Sequence, residues 1–242
     1  MANEGTYPRI VCMCGREIGY RIADFLLDQQ VETRFAVNEN EKTGDWYRTP
    51  RELDIIEISE YEIPAFKPDL IIVAFYHRII PESIFTLPRY GCWNLHLGDA
   101  ERYRGAYPNI HALCNGDTSY AVTLHKIDQG IDTGDILSKI SFPITPEMTG
   151  RELYSRMTGE GLNLFLRHYS DLINGRALEK THVQNSTEAV THFRKELSHE
   201  VYPSEEFINS VRALTFPPFP PPYFKIGDHR FIVVEDKPES SV

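Results

Sequence analysis

The chain has 242 residues, 41% of them hydrophobic, and 25 lysines and arginines against 35 aspartates and glutamates, for a formal net charge of −10. That length carries one sizeable core, or a core with a small appendage; no run reaches the ~18 uninterrupted apolar residues of a membrane helix, and Met1-Ala2-Asn3-Glu4-Gly5 has neither the basic start nor the apolar stretch of a secretory signal. A cytoplasmic protein with no membrane or nucleic-acid partner is therefore expected, since broad RNA binding calls for a basic balance.

Arg9 to Cys14 reads as a buried first strand. Gly15 and Gly19 bracket a turn, and Ile18 to Leu27 has helical apolar spacing. Strand, glycine turn and helix open a doubly wound α/β domain. The turn, Gly15-Arg16-Glu17-Ile18-Gly19, is not G-x-G-x-x-G and gives no dinucleotide site. Cys12, Cys14, Cys92 and Cys114 are expected as buried free thiols. Cys12 and Cys14 are placed on opposite faces of the first strand, so no metal pair and no metal are expected.

Val31 to Val37 reads as a second strand, residues 38–50 as loop, and Ile55 to Ile58 as a short strand. Pro68 to Phe75 is an apolar run of parallel-strand character. It leads into Tyr76-His77-Arg78-Ile79-Ile80-Pro81, which is either a ligand loop at a strand's C-terminal end or a plain connection with Pro81 in a first helical turn. Gly91 to His96 is the next strand, and Asn94 and His96, two apart, leave the same face. The loop Arg102-Tyr103-Arg104-Gly105-Ala106-Tyr107-Pro108 follows, and Asn109 to Cys114 continues as helix. Tyr120 to His125 alternates as a strand, with Ala121, Thr123 and His125 on one face; His125 reads as structural.

Asp128 to Asp135 is the loop after that strand, with Gly130 and Gly134 bracketing Asp132. Asp135 reads as a structural acid or a helix cap. Ile136 to Ile144 is strand-like, and Thr149 to Leu172 is the longest helix, opened by the capping-box pattern Thr149-Gly150-Arg151-Glu152. Farther on, Thr187 to Lys195 reads as a strand and Ser204 to Leu214 as a helix capped by Ser204. The proline-rich run Thr215 to Phe224 should be extended and rigid. Its aromatic residues suit either a nucleotide base or packing against the main domain or a second subunit. Ile226 to Glu235, with Gly227-Asp228 as turn, reads as a hairpin. The fold class is α/β, a doubly wound, mostly parallel sheet with a small β-rich appendage; the division is residues 1–182, catalytic, and 183–242, a helix plus hairpin.

An amide, an imidazole and a carboxylate suit acyl transfer to an amine: the imidazole handles a proton near neutral pH, the amide donates to an oxyanion, and the carboxylate orients the imidazole. Asn94-x-His96, Arg102-x-Arg104-Gly105-x-x-Pro108 and Gly130-Ile131-Asp132-Thr133-Gly134-Asp135 occur in that order. At these residues, over roughly positions 65 to 180, the chain resembles the formyltransferases that use 10-formyltetrahydrofolate. Within them it looks most like the nucleotide-sugar N-formyltransferases of the dTDP-4-amino-4,6-dideoxyglucose type. It departs after His96, where many members have Ser-Leu-Leu-Pro and this chain has Leu97-Gly98-Asp99-Ala100-Glu101, a change that leads away from the methionyl-tRNA enzymes.

The resemblance implies a Rossmann-like formyltransferase fold with Asn94 as oxyanion donor. His96 would be general base or carbonyl polariser, and Asp132 would orient it or accept the proton. It also implies 10-formyltetrahydrofolate as co-substrate, held by Phe75, Tyr76, His77, Arg78, Ile79, Ile80, Asp128, Gly130 and Ile131. The acceptor, a nucleotide-linked amino sugar for O-antigen or another surface glycan, would meet Tyr103, Arg104, Gly105, Tyr107 and Pro108, with Phe219 and Tyr223 from the tail. A homodimer through the C-terminal part is expected. The alternatives are a 3-amino sugar, methionyl-tRNA or glycinamide-ribonucleotide formyltransferase, a formyl-folate hydrolase, or a folate-binding or nucleotide-binding protein without turnover.

Overall fold

The computed structural model describes residues 7–29, 31–37, 55–76, 78–184, 189–193, 206–226 and 228–234. In chain order its elements are β1 (Ile10–Cys14), α1 (Arg16–Leu27), β2 (Thr33–Val37), α2 (Ile63–Phe66), β3 (Leu70–Ala74), α3 (Glu82–Phe85), β4 (Cys92–His96), β5 (Tyr103–Gly105), α4 (Pro108–Cys114), β6 (Ser119–Lys126), β7 (Ile136–Pro143), α5 (Gly150–Ile173), β8 (Val190–His192), α6 (Phe207–Leu214), β9 (Tyr223–Ile226) and β10 (His229–Ile232).

Six strands form one sheet in the order β2-β1-β3-β4-β6-β7. The first four are mutually parallel, and β6 and β7 are antiparallel to their neighbours. The parallel strands are buried on both faces, which explains their unbroken apolar runs. Ile10, Cys12, Cys14, Ile72, Trp93 and Leu95 enter one core, shared with α1 and α5. Val11, Met13, Ile71, Val73 and Cys92 enter a second, smaller core with Ile63 and Ile84. Each such aliphatic side chain contributes about 1.5–3 kcal/mol by leaving water.

Several expectations are corrected here. Cys12 and Cys14 share a face, since side chains two apart in a strand point the same way; all four cysteines are free thiols, and Cys114 is half-buried rather than buried. Gly19 lies inside α1 and not in a turn. A Cβ there would stand 2.8 Å from the Ala74 carbonyl oxygen, so this glycine lets the helix lie close on the sheet. Ile55 to Ile58 makes a single bridge, Glu57 to Phe35, rather than a strand. Asp135 is followed by β7 and caps no helix.

The capping box of α5 forms as its sequence predicts: the Thr149 hydroxyl accepts from the Glu152 N–H, and the Glu152 carboxylate accepts from the Thr149 N–H. The C-terminal part packs on the body through α6, which lies against α4 and α5. α6 starts at Phe207 with Glu206 at its N-cap, and Ala213 and Leu214 join the first core. Ser204, residues 187–188 and 194–195, the loop at 38–50 and Gly227 lie outside the described residues. β8 pairs in parallel with β5, and β9 with β10 form the hairpin. The proline-rich run is not extended throughout: the Phe219 N–H bonds the Phe216 carbonyl at 2.9 Å, and the chain turns back. Among the described residues, no helix is long and apolar enough to cross a membrane.

Candidate active site

β4 ends where the parallel strands open, the usual place for a ligand in such a sheet. Asn94 and His96 leave its face opposite Trp93 and Leu95. β6 lies antiparallel beside it in a register that sets His125 directly across from Asn94. The loop from β6 to β7 then turns Asp132 back over both strands. Asp132 has a φ of 52°, in the left-handed region, which few residues other than glycine, asparagine and aspartate adopt.

The three side chains singled out in the sequence meet. Asn94 Nδ2 donates to Asp132 Oδ1 at 3.0 Å, and His96 Nδ1 stands 3.4 Å from Asp132 Oδ2. The Gly105 N–H donates to the same Oδ2 at 2.8 Å. A fourth group, read from the sequence as structural, is part of the cluster: His125 Nε2 lies 3.1 Å from Asn94 Nδ2 and 3.3 Å from Asp132 Oδ1. Its only sequence signal was its place on the strand just before the Asp132 loop, and the pairing register that matters was not legible.

Hydrogen-bond partners fix one nitrogen on each ring. His96 Nε2 is 2.8 Å from the Tyr103 carbonyl and His125 Nδ1 is 2.8 Å from the Lys126 carbonyl. A carbonyl can only accept, so both nitrogens carry hydrogen. The remaining nitrogens, Nδ1 of His96 and Nε2 of His125, both face Asp132. Burial alone would raise the Asp132 carboxyl, but the charge of His96, the bond and charge of His125 and the Gly105 N–H outweigh it and hold the group well below the usual carboxylate range.

Gly98 supports the arrangement. A Cβ at this position would stand 2.4 Å from His96 Nε2 and 2.8 Å from Pro108 Cβ. Gly98 thus leaves the space in which the His96 ring sits.

The cluster opens on a cavity of about 680 Å3, a size typical of ligand sites. One side is formed by Phe75, Tyr76, Arg78, Ile79 and Ile80, and another by Asp128, Gly130 and Ile131. His77 lies outside the described residues. Tyr76 is tethered by its hydroxyl to Glu60 at 2.5 Å, and Arg78 stands 3.5 Å from the same carboxylate. Asp128 accepts from the Gly130 N–H at 3.0 Å and the Thr133 hydroxyl at 2.6 Å, which shapes its own loop. Gly105, Tyr107, Pro108 and Phe219 also line the cavity.

Three of the expected substrate residues stand elsewhere. The Tyr103 ring is buried, its hydroxyl donating to Asp117 at 2.9 Å and accepting from Asn115 at 2.9 Å. Arg104 is turned to the Ala100 carbonyl and Gln184. The Tyr223 ring lies 3.9 Å beneath the Arg230 guanidinium. Conversely, Arg16, His192 and Phe216 line the cavity without having been singled out. Arg16 stands at the first turn of α1, its guanidinium 4.4 Å from the Phe75 ring. Among the described lining residues, Arg16 and Arg78 are the lysine-or-arginine cations.

Comparison with known proteins adds a lineage to this geometry. Residues 27–168 match the family model described as formyl transferase. A methionyl-tRNA formyltransferase of Marinobacter nauticus is 32% identical over 178 residues, 72% of this chain and 56% of that protein. The chain spans about half the length of the curated relatives it matches. Among solved structures, an N-formyltransferase from Helicobacter canadensis in complex with folinic acid and dTDP-3-aminofucose superposes with a TM-score of 0.79 at 22% identity, covering 91% of this chain and 84% of that one. A 4-N formyltransferase from Francisella tularensis does so with a TM-score of 0.77 at 18% identity, covering 97% and 100%. At these identities the structural likeness is one of fold.

Proposed function

The chain belongs to the formyl transferase family, and we propose that it moves a formyl group from 10-formyltetrahydrofolate to the amine of a nucleotide-linked amino-dideoxy sugar. The observation that carries this reading is the convergence of Asn94, His96 and Asp132 on one wall of the cavity. The preferred acceptor is dTDP-4-amino-4,6-dideoxyglucose, for O-antigen or another surface glycan, in the cytoplasm. The fold-similar N-formyltransferase from Helicobacter canadensis is in complex with folinic acid and dTDP-3-aminofucose. The net charge of −10 suits a small anionic ligand met by a few cations better than an RNA.

The residues present fit a folate. Phe75, Ile79 and Ile80 offer apolar surface for a flat heterocycle, beside the polar loop at Asp128 to Ile131. Bound there, the folate supplies an electrophilic formyl carbon. Asn94 Nδ2 carries two hydrogens: one is given to Asp132 Oδ1, and the other donates to the oxygen on which negative charge develops. His96 polarises the carbonyl or takes the amine's proton. Its Nε2 is committed to Tyr103, so the nitrogen available for proton transfer is Nδ1, beside Asp132. The low carboxyl value supports Asp132 as the group that orients His96 rather than as a proton acceptor. Arg16 and Arg78 supply positive charge for the diphosphate and the folate carboxylates, and Phe216 and Phe219, with rings 5.4 Å apart, supply stacking surface for the base.

A second reading, methionyl-tRNA as acceptor, is favoured by the sequence relatives, which carry that name. Incubation with 10-formyltetrahydrofolate and a panel of dTDP-, UDP- and GDP-linked amino sugars, alongside methionyl-tRNA, separates the two by product mass. The expected result is one added formyl group on a sugar, lost in His96→Ala while folate binding persists. Formylation of methionyl-tRNA alone establishes the second reading, and formate released without an acceptor defeats both.

A further inference from the structure

Asp132 holds an uncommon backbone conformation at the tip of its loop. Such a residue stays in place only when its surroundings overdetermine it. The Asp132 side chain reaches Asn94 and Gly105, but its backbone is held from another direction. Gln184 Nε2 donates to the Asp132 carbonyl at 2.9 Å and to the Gly134 carbonyl at 2.7 Å. Gln184 Oε1 accepts from Arg104 Nη2 at 2.9 Å, and Arg104 Nε donates to the Ala100 carbonyl at 2.9 Å.

One primary amide has two N–H donors and one carbonyl acceptor, and here two backbone carbonyls and a guanidinium use all three. Arg104 also immediately precedes Gly105, whose N–H holds Asp132 Oδ2. Besides that direct bond, the loop that displays the carboxylate and the strand that grips it are thus joined through Gln184 and Arg104. The segment that carries Gln184 is itself held to the start of β7: Ile136 and His182 exchange backbone hydrogen bonds, each 2.9 Å.

We propose that Arg104 and Gln184 form a clasp that sets Asp132 against Asn94 and His96, making both of them positioning residues for formyl transfer rather than ligands of the substrate. The assignment rests on the formyltransferase reading of the site. Neither side chain lines the cavity. A lysine in place of Arg104 keeps the charge but loses the planar fork whose Nε and Nη2 meet Ala100 and Gln184 in fixed geometry. An alanine in place of Gln184 leaves two loop carbonyls and a guanidinium without their partner.

The test uses Gln184→Ala, Arg104→Lys and the double variant, with two readouts. In steady-state formyl transfer, each single variant lowers kcat, by as much as the order of 10²-fold expected for displaced reacting groups, while KM for both substrates stays within about twofold. The double variant is no worse than Gln184→Ala, because the two residues act as one device. In the free protein, carbon-13 NMR of the Asp132 carboxyl shows it titrating higher in Gln184→Ala than in the wild type. A KM that rises while kcat holds makes Arg104 a substrate ligand and overturns the clasp, as does an unchanged kcat with an unchanged Asp132 titration. Should the wild type transfer no formyl group, the NMR titration alone decides: a shift keeps the clasp while the activity reading falls, and no shift removes the clasp.

Discussion

His96 is held by geometry on every side, which makes its neighbours testable. Gly98→Ala inserts a methyl group where His96 Nε2 would be 2.4 Å away. The expected outcome is a fall in formyl transfer on the order of 10²-fold, with about 1–3 kcal/mol lost to overpacking, read by kinetics and by chemical denaturation. Asp132 gives a pH signature. Its folded value is depressed, so its contribution to stability is complete above the ordinary unfolded value of ~3.9 and is lost as pH falls below it. Asp132→Asn removes that dependence. The difference in unfolding free energy between wild type and Asp132→Asn should therefore hold above about pH 5 and narrow from there as pH is lowered through ~3.9 toward the depressed folded value; a constant difference would contradict a depressed carboxyl. Asn94, His96 and Asp132 were legible in the sequence because their residue types and motifs are distinctive. His125 was not, because an imidazole on an alternating strand looks like any buried histidine until the register with Asn94 is known.

At the scale of elements, the long helix and the glycines separate local from tertiary causes. Thr149→Ala removes the hydroxyl that accepts from Glu152 and should cost about 1 kcal/mol by thermal or chemical unfolding. Gly159, in the same helix, has nothing within 4 Å of the point where a Cβ would stand, whereas at Gly161 a Cβ would be 2.6 Å from Leu97 Cδ2. Gly159→Ala should then stabilise by about 0.5–1 kcal/mol, and Gly161→Ala should destabilise; the same sign for both would contradict the packing of α5. The capping box was readable in four consecutive residues. The two glycines, two positions apart, look alike in sequence and differ only in what the sheet brings against them. The proline-rich run illustrates the same division. Its composition excluded a helix or a central strand, but the turn that carries Phe216 and Phe219 to the cavity comes from its docking on the body, where Phe216 meets Tyr154 at 5.4 Å between ring centroids.

The molecule as a whole presents an acidic chain whose C-terminal hairpin exposes apolar side chains. Ile226, Ile232 and Val234 are 62%, 56% and 72% exposed, and a hairpin this apolar suits burial against another surface. A homodimer through this part of the chain, expected from the sequence, should appear by sedimentation, and Ile232→Lys with Val234→Lys should yield monomer without loss of the folate binding proposed for the cavity. A wild type that sediments as monomer at micromolar concentration would remove the proposal.

Two kinds of information therefore meet in this protein. The sequence by itself determined the mostly parallel sheet, through unbroken apolar runs that only a sheet covered on both faces tolerates. It also carried Asn94, His96 and Asp132, the residues proposed for acyl transfer, because their order and chemistry are readable without knowledge of the fold. Only the tertiary structure decided which side chains complete the site. Strand register put His125 opposite Asn94, and chain return brought Gln184 to the carbonyl of Asp132 and Phe216 to the cavity. It also turned Arg104 away from the cavity, toward Ala100 and Gln184. These are contacts between residues distant in sequence, and their partners are chosen by hydrogen-bond register and close packing, which no local pattern encodes.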